Sequence, residues 1–104
     1  MSNNYWHDEL RAEALADPEL RVEYEIFKRQ LDLAFKMKQA RKKQGLTQEQ
    51  VAEKMRTKKP VVARLEAGGG RLKHSPSLNT LEKYAHAIGY RLKVDLVRGA
   101  FSSN

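Results

Sequence analysis

The stretch that most constrains this chain lies between Leu46 and Gly68, where two short helical segments carry their own start and stop signals. Thr47-Gln48-Glu49-Gln50 has the form of a capping box, with Thr47 as N-cap and Gln50 reaching back to it. The helix it opens presents Val51, Ala52 and Met55 inward. Arg56-Thr57-Lys58-Lys59 follows as a short polar turn. Pro60–Ala67 then reads as a second helix, ended by Gly68, with Val62 and Leu65 three apart on its core face. Proline disfavours α backbone in the residue before it, so this helix is expected to start at Pro60, with Lys59 as an N-cap that offers no side-chain acceptor.

The flanks extend the pattern. Asp17-Pro18-Glu19 marks a helix start, and no breaker intervenes before Gly45, which predicts a helix of about 27 residues, or about 40 Å. Leu33, Met37 and Ala40 make one core-facing stripe on it. Leu20, Tyr24, Phe27, Leu31 and Ala34 make a second, which needs a second cover. That cover is Trp6, Leu10 and Leu15, from a short amphipathic helix over about His7–Ala16 and the residue before it, or else a sister subunit or another protein. After a loop rich in glycine and basic residues, Ser77 caps a last helix with Leu78, Leu81, Ala85 and Ile88 on one face and Gly89 as its stop. Tyr90, Leu92, Val94 and Leu96 then alternate with charged residues, the pattern of a half-buried strand. A lone strand needs a partner for its backbone groups: the same strand in a second copy, which predicts a homodimer, or the sheet of a different protein.

Charge separates along the chain. The total is +7, yet residues 1–27 hold seven acidic and two basic residues, and residues 28–104 hold six and eighteen. The division suggests a polyanion partner for the basic part and a cationic partner for the acidic part. The absence of cysteine excludes disulfides and thiolate metal sites and fits a reducing cytoplasm. The N-terminus lacks the basic and apolar regions of a signal peptide, and the longest apolar run, about four residues, is far short of the roughly 20 a membrane span requires. His7, His74 and His86 are scattered without metal-ligand spacing, and Gly68-Gly69-Gly70 follows a helix rather than a strand. No enzyme, metal or cofactor is expected.

Two short helices about a tight turn, the second basic at its start, form a helix-turn-helix pattern. Leu46–Met55, then Val62-Ala63-Arg64-Leu65-Glu66-Ala67-Gly68, and later Pro76-Ser77-Leu78 and Leu81, closely resemble the Cro/C1-type (XRE) helix-turn-helix over roughly residues 33–89. With Asp17–Glu25 before that core and Tyr90–Val97 after it, the chain as a whole resembles the HigA-type antitoxins. The fold this implies is mainly α: a lambda-repressor-like helix-turn-helix bundle with a long N-terminal helical extension and one C-terminal β-strand. Its divisions would be an acidic extension over 1–27, a DNA-binding domain over 28–89, and a dimerising strand and tail over 90–104.

The resemblance implies an antitoxin that neutralises a RelE-like ribonuclease toxin and represses its own operon by binding double-stranded operator DNA. A stand-alone phage-type repressor without a toxin shares every DNA-binding residue and is the alternative. The resemblance places base readers at Lys59, Pro60 and Arg64, with Lys58 and Val61 close by. Arg64 is the foremost, because a guanidinium bonds guanine O6 and N7 together. Thr47 and Gln48 open the first motif helix, where relatives use glutamine to fix phosphate and reader together; Lys58, Arg71 and Lys73 are phosphate candidates. Where relatives have a Ser or Thr cap, this chain has Lys58. Arg41 and Glu66 correspond to a partly buried ion pair of structural role. For the small basic toxin, acidic charges would steer and aromatics anchor, which selects Trp6, Leu10, Glu13, Leu20, Glu23, Tyr24, Phe27 and Leu31.

Overall fold

A computed structural model describes residues 16–68 and 75–99. Helix α1 spans Pro18–Lys43, α2 Gln48–Lys54, α3 Lys59–Glu66 and α4 Leu78–Ala87. The short helix expected before Ala16, and the loop residues 69–74, lie outside the described residues. No strand occurs among the described residues, so the expected β-strand at Tyr90, Leu92, Val94 and Leu96 is corrected. The alternation is real, but a strand exists only through its ladder, and the described residues supply no second strand.

Local chemistry accounts for each helix start. The Asp17 carboxylate accepts from the Glu19 amide at 2.9 Å, with Pro18 in the first turn. At α2 both halves of the capping box form: Gln50 N–H donates to the Thr47 hydroxyl at 3.0 Å and Thr47 N–H to Gln50 Oε1 at 2.8 Å. Ser77 caps α4 by accepting from the Thr80 amide at 3.1 Å. Helix α3 begins at Lys59, one residue earlier than the proline rule predicts, and its N-cap is Lys58, which makes no side-chain capping bond. Proline loses nothing at the second helical position, because first-turn amides have no partner within the helix. The steric bias at Lys59 is a local preference that the packing of Val62 and Leu65 overrides.

The helices end alike. In α1, α2 and α4 the two residues after the C-cap bond back in the Schellman pattern, for example Gly45 N–H to Lys42 at 2.9 Å and Leu46 N–H to Arg41 at 3.2 Å. The left-handed residue is Gly45 after α1 and Gly89 after α4, but Arg56, at φ 58°, after α2. Gly68 follows α3 at φ 104°, and a Cβ there would stand 2.9 Å from Leu31 Cδ2. Only glycine lets α1 pass so close to the end of α3.

The core gathers Val51 and Ala52 of α2, Val62 and Leu65 of α3, and Tyr84 and Ile88 of α4 and its end, with Met37 and Ala40 of α1 packed against them. Leu33, Ala34, Met37, Leu65 and Leu81 line a small hollow of about 70 Å³ beside it. The spacing places Leu78 on this face, but it is 58% exposed, and the first buried residue along α4 is Tyr84. Tyr84, fully buried, takes the position that the spacing of Leu81 and Ile88 offers.

Candidate nucleic-acid interface

The second helix of the motif, α3, is held by its last residue. Glu66 on α3 accepts hydrogen bonds from the other three helices: from Arg41 Nε at 2.6 Å and Nη2 at 3.0 Å, from Gln48 Nε2 at 3.0 Å, and from the Tyr84 hydroxyl at 2.5 Å. Arg41 Nη1 also donates to the Leu46 carbonyl at 2.8 Å, and the Tyr84 oxygen lies 3.1 Å from the Met37 carbonyl. One carboxylate thereby fixes α3 against α1, α2 and α4.

The charges in this cluster support one another. Burial pushes the Glu66 carboxyl up, yet the hydrogen bonds from Arg41, Tyr84 and Gln48 outweigh it and hold the group below the ordinary carboxylate range. The bond to Glu66 raises Arg41 further. Burial, then the bond to Glu66, pushes the Tyr84 hydroxyl well above its usual range, so it remains a donor. A buried pair adds little net stability, but removing one partner strands a charge, at a cost of about 3–5 kcal/mol.

Around this anchor the proposed DNA residues sort by exposure. Lys58, Lys59, Pro60 and Arg64 are exposed along the start and one flank of α3, with Val61 half-buried among them. Arg64 and Val61 share a hollow of about 220 Å³ with Ser75, Pro76, Ser77 and Thr80 at the start of α4. Thr47 is exposed, but its hydroxyl is engaged in the capping box. Gln48 is half-buried and spends its amide on Glu66, so the structure brings it to the anchor rather than to Lys59 or Arg64. Its proximity to the buried carboxylate, which chain spacing conceals, is the reason. Arg71 and Lys73 lie outside the described residues.

The other predicted surfaces divide in the same way. Trp6, Leu10 and Glu13 lie outside the described residues. Leu20 and Glu23 are exposed, whereas Tyr24 is only 8% exposed and Phe27 and Leu31 are half-buried. Tyr24, buried, is therefore corrected as a surface anchor, while Phe27 and Leu31 stay partly exposed. Leu31 is committed to the contact over Gly68, and the Tyr24 ring, with Lys28 Nζ 5.9 Å from its centroid, faces inward. Of the C-terminal set, Tyr90, Val94 and Leu96 are exposed and Leu92 half-buried. Sequence reasoning missed Tyr84, whose position three after Leu81 and four before Ile88 was the available signal. It also missed the basic cluster of Lys54, Arg56, Lys83 and His86, which no linear pattern joins.

Four helices, with the second and third packed around a turn and the third presenting a basic exposed start, define a helix-turn-helix DNA-binding domain. The helix-turn-helix family profile matches residues 37–94, more than half of the chain, and the chain belongs to that family in its Cro/C1 (XRE) form. It is a DNA-binding transcriptional regulator. No curated protein and no solved structure matches the chain. None of the described helices is long and apolar enough to cross a membrane.

Proposed function

We propose that this regulator is an antitoxin of the HigA type, which represses its own operon and holds a small basic RelE-like toxin through the N-terminal half of α1. The observation that carries the reading is the character of that half-helix. Beside the buried Tyr24, it exposes Leu20, Val22 and Ile26 among Glu19 and Glu23. Glu19 and Glu23 lie between Val22 and Ile26 on one side and Leu20 on the other. Carboxylates interleaved with apolar side chains suit a cationic protein surface, with charge for steering and apolar side chains for contact. The protein is a binding module on this reading, not an enzyme, and it acts in the cytoplasm.

On DNA, Arg64 reads a guanine and Lys58 and Lys59 meet the backbone. A phosphate would supply the acceptor that Lys58 does not offer the first amides of α3. The exposed apolar side chains of Val94, Leu96 and Val97 support a homodimer, which implies a two-fold operator with half-sites roughly 34 Å apart.

Co-expression of the tagged chain with the small basic reading frame beside its gene tests this. A stoichiometric complex that binds the upstream DNA, and that Val22→Asp with Ile26→Asp disrupts without loss of DNA binding, supports it. DNA binding with no partner leaves a plain repressor.

A further inference from the structure

A second, basic cleft lies apart from Arg64. Lys54 and Met55 at the end of α2, Arg56 in the turn, and Lys83, His86 and Ala87 on α4 line a cavity of about 590 Å³. Among the described residues no carboxylate lines it. Met55 and Ala87, its apolar portion, are themselves half-buried, so it offers no pocket for a peptide's apolar side chain.

Its place in the fold links it to the reading helix. Thr80, Lys83 and Ala87 recur at spacings of three and four and so share one flank of α4. Thr80 lines the smaller hollow with Val61 and Arg64, while Lys83 and Ala87 line the larger one with Arg56. Along the facing residues the chain order is reversed, Val61 and Arg64 opposite Thr80 and Arg56 opposite Lys83 and Ala87, so both hollows lie along this flank of α4. Arg56 stands three residues before Lys59, a reach of at most about 11 Å. The ten residues of α4 extend about 15 Å, over which one DNA strand presents about four phosphates.

Arg56 supplies a separate indication. At the other helix ends where the chain turns left-handed, the residue is glycine; here it is arginine at φ 58°. A side chain in that conformation costs roughly 1–2 kcal/mol relative to an unstrained residue. A cation kept at such a position points to a use for the charge.

We propose that this cleft is a phosphate site, in which Lys54, Arg56, Lys83 and His86 grip the DNA backbone beside the bases read by α3. The site extends the DNA footprint to the C-terminal ends of α2 and α4, and it rests on the DNA-binding reading of the domain. The test is the salt dependence of binding to a duplex that the protein selects from a random pool. The triple variant Lys54→Ala, Arg56→Gly, Lys83→Ala removes the charges without straining the turn. A control, Lys36→Ala, Lys38→Ala, Lys42→Ala, removes as many exposed charges from α1.

The slope of log affinity against log salt is expected to flatten by about 0.9 for each lost phosphate contact in the triple variant and to stay at the parental value in the control. Thermal melting of both variants verifies folding. Equal slopes in the parent and the triple variant would overturn the proposal. Equal slopes together with lost binding of a polyglutamate peptide would reassign the cleft to an acidic protein segment. A parent that enriches no duplex would remove the DNA-binding reading itself, and the phosphate site with it.

Discussion

The two halves of α1 are one uninterrupted helix, yet they live in different surroundings. Toward its C-terminus, Met37 and Ala40 pack on the core and Arg41 is buried on Glu66. Toward its N-terminus, Leu20, Val22 and Ile26 stand about half exposed. Backbone continuity is a local property, secured by Asp17, Pro18 and the absence of a breaker. Burial is decided by what lies opposite: in the earlier half Tyr24 is buried, whereas Leu20, Val22 and Ile26 have no such cover among the described residues. Stability is thereby concentrated at one end of the helix, leaving the other able to carry an interaction surface.

Breaking the anchored end should have the largest effect. Glu66→Ala strands Arg41 in the interior and is expected to cost about 3–5 kcal/mol, read from urea unfolding, while Arg64→Ala leaves stability nearly unchanged. Equal losses would erase the distinction between anchor and reading surface. The same carboxylate gives a pH signature. Its folded pKa lies below its unfolded value, so its stabilisation is present above the unfolded carboxylate range and lost as pH falls through the folded value. Glu66→Gln should remove that acid-dependent component, and an unaltered profile would assign it elsewhere.

Gly68→Ala acts at the midpoint of α1, where the new Cβ meets Leu31 at a positive φ, and should cost about 2–3 kcal/mol. Gly45→Ala, with open space around it, should cost about half as much. Similar melting temperatures for the two would show that the Leu31 contact yields easily. Tyr84→Phe leaves the ring in place and removes one donor to Glu66, for about 1–2 kcal/mol. A smaller change runs the other way: Arg56→Gly relaxes the turn and should raise stability by about 1 kcal/mol in thermal melting. At the free end, Val22→Ser with Ile26→Ser should stay within about 0.5 kcal/mol of the parent. A loss of several kcal/mol there would show that this half-helix is part of the core.

Sequence alone determined the elements that depend on near neighbours. The Asp17, Thr47 and Ser77 caps, the helix stops at Gly45 and Gly89, and the inward Val51, Ala52, Val62 and Leu65 were all legible, because capping and periodicity act within four residues. Arg41 and Glu66 came from family resemblance, since nothing local joins residues 25 apart. Tertiary structure decided the rest. It turned Gln48 and Tyr84 onto Glu66, drew Tyr24 and Leu31 inward, left Leu78 outside, and moved the start of α3 to Lys59. It also gave Tyr90–Leu96 no ladder and gathered Lys54, Arg56, Lys83 and His86 around one cleft. Each of these depends on which surface lies opposite, and that follows from how the helices pack rather than from spacing along the chain.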